Sequence, residues 1–316
     1  MNAVMSQRIS LCLCLVVLLC LPGCNALSGG ETSETPMVTP ASVPTNEPMS
    51  AHGLPPGVTE QGVVDPIALG RAHEAVLNET SYTVIEKFTV KYTNGTLLSR
   101  TTETRQVVAP TERYYVTIRW YRPNTDIASY TVKNKSIWSD GERVLVAISD
   151  SQTNETTYQY YQSLDMHESS LRGFPRGEQL YNLFYAIDTE IDNYTTHNGT
   201  TLYRITATEI KGPDTLLGFG NVTKNPRNIT FHAVIDSRGL VHKYKLSYIT
   251  TFTTKNYSTP IRIVRTARYT KIGNTTVERP PWYSKANRTT PVPLSEIWYS
   301  TIGENEHHRT EIHSNE

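Results

Sequence analysis

Past residue 24 this chain has no cysteine: all four, Cys12, Cys14, Cys20 and Cys24, lie at its start. The remainder therefore has no thiol for a disulfide, a thiolate metal site or a nucleophile. Charge of one sign is missing too, with 30 Lys and Arg against 30 Asp and Glu. No basic cluster stands out, which excludes the electrostatic footprint of nucleic-acid binding. A Gly-rich phosphate loop, a Gly-x-Ser-x-Gly elbow and a His-Glu-x-x-His helix are all absent, and with them the usual signatures of nucleotide, acyl-transfer and zinc chemistry. Glu306-His307-His308 with His313 is the nearest approach to a metal motif. In a polar terminus those ligands are not preorganised, so neither a metal nor any other cofactor is expected. Taken together, these absences point to a protein that is not an enzyme.

What is present begins with an apolar run behind Arg8. Leu11 to Leu21 is as long as a secretory h-region and short of the roughly 20 residues that span a bilayer. It closes on Leu21-Pro22-Gly23-Cys24, which resembles the lipobox of prokaryotic lipoproteins; Pro22 stands where that motif usually has a small residue. The resemblance implies a signal peptide over 1–23 and a mature chain that starts at Cys24, lipidated on its thiol and held at the outer face of the cell membrane. Two acyl chains anchor stably without a second signal. The alternative, a plain transmembrane anchor over residues 9–22, also places the rest of the chain outside the membrane.

Residues 24–56 form the next unit, rich in Ser, Thr, Pro and Glu and almost free of large apolar residues. Such a stretch cannot offset the entropy of ordering and reads as a disordered tether. Residues 57–285 make the folded domain, long enough to bury a core without disulfides, and 286–316 read as a disordered polar tail. Asn-x-Ser/Thr sequons start at Asn78, Asn94, Asn134, Asn154, Asn193, Asn198, Asn221, Asn228, Asn256, Asn274 and Asn287, against about four expected by chance for this composition. They are candidate glycosylation acceptors. Asparagine in turns and threonine in strands would also generate sequons with no sugar attached. An excess of this kind fits an archaeal surface protein.

A short helix opens the domain, with Asp65 as N-cap, Pro66 at the first helical position and Asn78 at its end. From Ser81 the apolar period changes to two, in Tyr82, Val84, Phe88, Val90 and Tyr92, and Asn94-Gly95 turns the chain into Thr96 to Ala109. Short alternating runs continue through Tyr114 to Trp120, Ser129 to Trp138, Arg143 to Ile148 and Thr156 to Gln162. In Glu178 to Asp188 the spacing of Leu180, Leu183, Phe184 and Ile187 predicts an amphipathic helix. Strands resume at Thr200 to Ile210, then Ile229 to Ile235, Leu240 to Phe252 after the turn Asp236 to Gly239, and Ile261 to Ile272. Asp140 and Asp236 are turn-formers, and His73 and His242 are hydrogen-bonded or half-exposed residues before they are general bases.

About ten antiparallel strands must twist or curl. The fold class is therefore α+β: a single large curved antiparallel sheet, a half-barrel, with about two helices packed on its concave face. Ser139-Asp140-Gly141-Glu142-Arg143-Val144 and Ala233-Val234-Ile235-Asp236-Ser237-Arg238-Gly239-Leu240 resemble two hairpins of the LolA-type and mycobacterial lipoglycan-carrier lipoproteins, which implies a carrier-like half-barrel. Through Leu54-Pro55-Pro56-Gly57-Val58, Ala72-His73 and Ser81-Tyr82-Thr83 the chain is also similar to uncharacterised surface lipoproteins of halophilic archaea, a resemblance that implies location and fold and no catalytic residue. Face alternation makes Tyr82, Phe88, Tyr92, Val116, Trp120, Phe184, Tyr244, Leu246 and Tyr248 the candidate lining of an apolar cavity. The first functional reading is a membrane-anchored, extracytoplasmic binding module for a lipid or other hydrophobic ligand. The second is a structural or adhesive surface lipoprotein whose partners are envelope proteins or glycans.

Overall fold

A computed structural model describes residues 53–121, 133–150, 153–162, 176–212, 223–253 and 258–291. A two-stranded hairpin, β1 (Val58–Thr59) and β2 (Gly62–Val63), leads into helix α1 (Pro66–Asn78). Asp65 caps that helix as its sequence predicts: Oδ1 accepts the N–H groups of Ile67 at 3.1 Å and Ala68 at 3.0 Å. These are donors the first helical turn would otherwise leave unpaired. The strands that follow are β3 (Ser81–Tyr92), β4 (Leu97–Val108), β5 (Arg113–Tyr121), β6 (Lys133–Ser139), β7 (Arg143–Asp150) and β8 (Thr156–Gln162). Helix α2 (Arg176–Tyr185) precedes β9 (Ile187–His197), β10 (Thr200–Ile210), β11 (Thr223–Asp236), β12 (Val241–Thr253) and β13 (Ser258–Thr270), and a short helix, α3 (Tyr283–Ala286), comes last.

β3 to β13 form one curved, unclosed antiparallel sheet in the order β8-β7-β6-β5-β4-β3-β13-β12-β11-β10-β9. Two meanders run in from opposite edges and meet where β3 pairs with β13, from Thr83↔Thr270 to Tyr92↔Ile261. The chain leaves β8 at one edge and, after α2, starts again with β9 at the other.

Two differences from the sequence expectation stand out. The second helix stops at Tyr185 rather than Asp188, and the eleven residues from Ile187, β9, are a strand that the periodicity did not predict. Ile187 fits the helical spacing, but Ile187, Thr189 and Ile191 also alternate with Asp188, Glu190 and Asp192, and pairing with β10 decides for the strand. The N-terminal segment is also tied down before residue 57. Pro55 is buried, and the Tyr203 hydroxyl donates to the Gly53 carbonyl at 3.2 Å.

Both helices cover one face of the sheet, here the inner face. Leu69 of α1 and Leu180, Leu183 and Phe184 of α2 pack with Tyr203, Ile205, Phe231, Leu246, Tyr248 and Ile263 in the main core, each such burial contributing about 1.5–3 kcal/mol. Where the helices cross they touch through glycines. A Cβ on Gly70 would fall 2.6 Å from the Gly177 carbonyl oxygen, and one on Gly177 would fall 2.7 Å from that of Gly70. On the opposite, outer face, Trp138 and Leu145 pack under Ala286, Trp282 and Tyr283 of the C-terminal segment. Pro291 bridges to Tyr160 on the β8 edge, and Ala286 is fully buried, so the packed chain runs to residue 291.

Candidate functional site

Inner-face positions of β3 read Tyr82, Val84, Glu86, Phe88, Val90 and Tyr92, so a carboxylate interrupts an otherwise apolar stripe. The β3–β4 register sets Glu103 directly opposite Glu86. Like charges in that relation are destabilising unless compensated. Compensation comes from Arg105, two residues along β4, which ion-pairs with Glu103 and is itself buried. Arg265 of β13 lies opposite Phe88, its guanidinium carbon 5.3 Å from the ring centroid, within cation–π range.

Above this charged patch α2 does not close down on the sheet. A cleft of about 360 Å³ remains, lined by Glu86, Phe88, Thr101 and Glu103 on one side, Tyr244 and Arg265 on the other, and Gln179, Asn182 and Leu183 from the helix. Its volume falls in the usual range of ligand sites, about 300–1,000 Å³. Phe88, Leu183 and Tyr244 offer an apolar surface beside carboxylate, guanidinium and amide groups, an arrangement that suits a molecule with an apolar body and a polar head.

Of the nine residues nominated from face alternation, Phe88 and Tyr244 line this cleft. Phe184, Leu246 and Tyr248 are packed into the main core, with Phe184 edge-on to Phe231 at 5.4 Å between centroids. Burial pushes the Tyr248 phenol up, against the opposing charge of Arg265. Tyr82 belongs to a cluster with Leu77, Val84, Leu240 and Tyr269, and Val116 to one with Tyr114, Ile137, Val146 and Tyr161. Tyr92 and Trp120 are half-buried. Alternation missed Glu86, Glu103 and Arg265, although the break at Glu86 in the inner-face phase is legible in the sequence. Of the sequons, Asn221 and Asn256 lie outside the described residues, as do Cys24 and residues 306–313. The other nine sequon asparagines are all exposed.

A second polar cluster sits at the β11–β12 turn. Asp236 is fully buried; its carboxylate accepts the N–H groups of Arg238 (3.0 Å) and Leu240 (3.1 Å) and the Arg238 guanidinium (2.7 Å), with His242 Nε2 at 3.3 Å. Burial alone would raise its pKa, but the His242, Arg238 and Leu240 hydrogen bonds and the Arg238 charge bring it down to about 2. The neighbouring Val241 N–H donates to His73 Nδ1 of α1 at 3.1 Å, and the His73 ring stands edge-on to Tyr269 at 5.0 Å. These residues hold helix to sheet. Asp140 does comparable work at the β6–β7 turn, accepting the N–H groups of Glu142 and Arg143. Arg143 reaches Asn287 Oδ1 at 3.2 Å, beside α3.

Among the described residues no group of three or more His, Cys, Asp and Glu is placed to hold a metal, and no helix is long and apolar enough to cross a membrane. Fold and site together define a class: an α+β protein built on one large unclosed antiparallel sheet, with an amphipathic cleft between the sheet and a covering helix. The particular family follows from the sequence, which matches the family of unknown function DUF7537 over residues 8–286; the chain belongs to that family. No curated protein matches it. Among solved structures, a DUF1329 family protein from Desulfovibrio piger ATCC 29098 is 9% identical, with 69% of this chain and 95% of that chain covered and a TM-score of 0.25. A likeness that slight carries no argument.

Proposed function

We propose that the protein is a lipid-anchored, extracytoplasmic binding module whose cleft between α2 and the sheet takes one amphipathic ligand. The carrying observation is the cleft itself: about 360 Å³, with Phe88, Leu183 and Tyr244 beside Glu86 and Arg265. Glu86 and Arg265 are charged groups half-buried on the inner face of the sheet. A core that needed only to be filled has no use for them. Apolar parts of the ligand lie along Phe88, Leu183 and Tyr244, and its polar head meets Glu86 and Arg265. The anchor is the diacylglyceryl group on Cys24.

The test is organic extraction and mass spectrometry of full-length protein purified in a non-ionic detergent, next to the Leu183→Trp variant, whose larger side chain fills the cleft. One amphiphile at near-equal molar amount in the parent and its loss from the variant is the expected result. Detergent lipids alone, identical in the two, contradict it. A second reading, a solid surface scaffold that binds envelope proteins or glycans, is favoured by the close packing of Phe184, Leu246 and Tyr248, and that same identical result would support it.

A further inference from the structure

At the centre of the sheet the outward side chains carry charge of one sign. Lys87 and Lys91 of β3, Arg262 and Arg268 of β13, and Lys243 and Lys245 of β12 alternate with inward residues such as Phe88, Ile263 and Leu246, and so point to the outer face. Lys87, Lys243, Lys245 and Arg268 are exposed, and Lys91 and Arg262 are half-buried. No outward position on these three strands holds an aspartate, a glutamate or an aromatic residue. Along the chain the six cations fall in two separate stretches, 87–91 and 243–268, which is why no basic cluster shows in the sequence. The pairing of β3 with β13 joins them.

The register sets two of these cations directly against two others, Lys91 against Arg262 and Lys243 against Arg268. Like charges in that relation are destabilising. The flanking strands relieve nothing: Lys91 meets Leu97 and Lys87 meets Thr102 on β4, while Lys243 meets Val234 and Lys245 meets His232 on β11. No described carboxylate ion-pairs with any of the six. Elsewhere the same sheet does compensate its cations, Arg105 with Glu103, Arg204 with Asp192 at 3.7 Å and Lys211 with Asp188 at 3.3 Å. Lysine commonly guards an edge strand against pairing with other chains. β3, β12 and β13 have neighbours on both sides, so that role does not account for these residues. A ligand of opposite charge relieves the repulsion that the fold leaves in place.

We propose that the outer face of β3, β13 and β12 binds an acidic polysaccharide, a chain of sugars bearing carboxylate or sulfate groups. Charge complementarity is the first argument, and the surface between the cations is the second. Thr89 and Ser247 stand among them, with Arg262 Nη1 donating to Ser247 Oγ at 3.4 Å, so hydroxyl groups are at hand for sugar hydroxyls. There is no ring on these outward positions for stacking nucleobases, and no aromatic anchor of the kind that dominates protein–protein interfaces. Shape separates a polymer from a membrane. Adjacent strands rotate by about 20–25°, and the six charges spread over about 20 Å along the strands. A flat bilayer meets only part of such a twisted surface, whereas a flexible chain follows it. The proposal does not depend on the cleft holding a ligand; that the polymer is met outside the cell rests on the extracytoplasmic reading.

The experiment measures binding by full-length protein in a non-ionic detergent, with dextran sulfate and polygalacturonate as the sulfate and carboxylate probes and uncharged dextran as the control. Binding to one or both acidic polymers, lost as salt rises from about 0.05 M to about 0.5 M, is the expected result. Lys91→Glu combined with Lys243→Glu sets opposite charges across both strand pairs, so polymer binding should weaken by about tenfold or more while the protein melts no lower than the parent. Arg71→Glu, at an exposed position of α1 on the other side of the sheet, should leave binding within about twofold of the parent's. Lys91→Gln combined with Lys243→Gln should show the same loss of binding, and it serves as the test if the reversals disturb the fold. Binding no tighter than to dextran, or unchanged in the double variants, overturns the site. Phosphatidylglycerol doped into the micelles that displaces the polymer at equal or lower total charge assigns the face to a membrane surface and overturns the polysaccharide.

Discussion

Asp236 shows how much one side chain can organise. Its folded pKa, about 2, lies below the ordinary carboxylate value of 3.8, so the stabilisation it contributes is complete above pH ~4 and is lost as pH falls toward 2. A difference of that size is worth about 2 kcal/mol. Asp236→Asn should therefore lower stability by about 2 kcal/mol at neutral pH, measured by urea denaturation, with the gap to the parent narrowing below pH ~4. A gap that stays constant down to pH 2 would show that the carboxylate acts through shape alone. Cys24 is the other residue on which much depends, in its case for location. Cys24→Ser should release the protein from membranes or block its maturation, seen by fractionation and N-terminal mass. Normal processing with full membrane retention would point instead to the anchor over residues 9–22.

At the scale of elements, the contact between α1 and α2 sets the roof of the cleft. Gly70 and Gly177 let two backbones meet where a methyl group would fall 2.6 Å from a carbonyl oxygen. Gly70→Ala must push α2 aside, and overpacking of this kind costs about 1–3 kcal/mol; thermal melting should show it, and an unchanged midpoint would mean that the helices meet elsewhere. Local signals made many of the elements legible. Asp65-Pro66 marked the start of α1, and Asn94-Gly95, Asp140-Gly141, Asn198-Gly199 and Asp236 to Gly239 marked hairpins that the strand pairing contains. β9 was not legible because Ile187 satisfies both periods, and only its pairing with β10 separates them. The cleft was half legible. Alternation put Phe88 and Tyr244 on the right face, whereas Gln179, Asn182 and Leu183 reach the same space from a helix more than sixty residues from either in the chain.

For the whole molecule the decisive feature is that the sheet stays open and its outer face still needs cover. Trp138, Leu145, Tyr158 and Tyr160 of the outer face lie beneath Trp282, Tyr283 and Ala286, Trp138 edge-on to Tyr283 at 5.0 Å. The chain also reaches the β8 edge at Pro291, where an uncovered edge would invite pairing with another molecule. Deleting residues 279–316 should raise the assembly mass seen by light scattering; a truncated protein whose mass per particle and melting midpoint match the parent's would show the segment to be dispensable. The sequence by itself determined the first helix, the alternating strands and their tight turns, because each depends on residues within a few positions of one another. Only the tertiary structure decided that β3 and β13 meet at the centre and that β9 starts again at the edge opposite β8, and that Glu86 lies beside Glu103 on one side of a cleft. Those outcomes depend on which distant surfaces bury each other, and no local period records that choice.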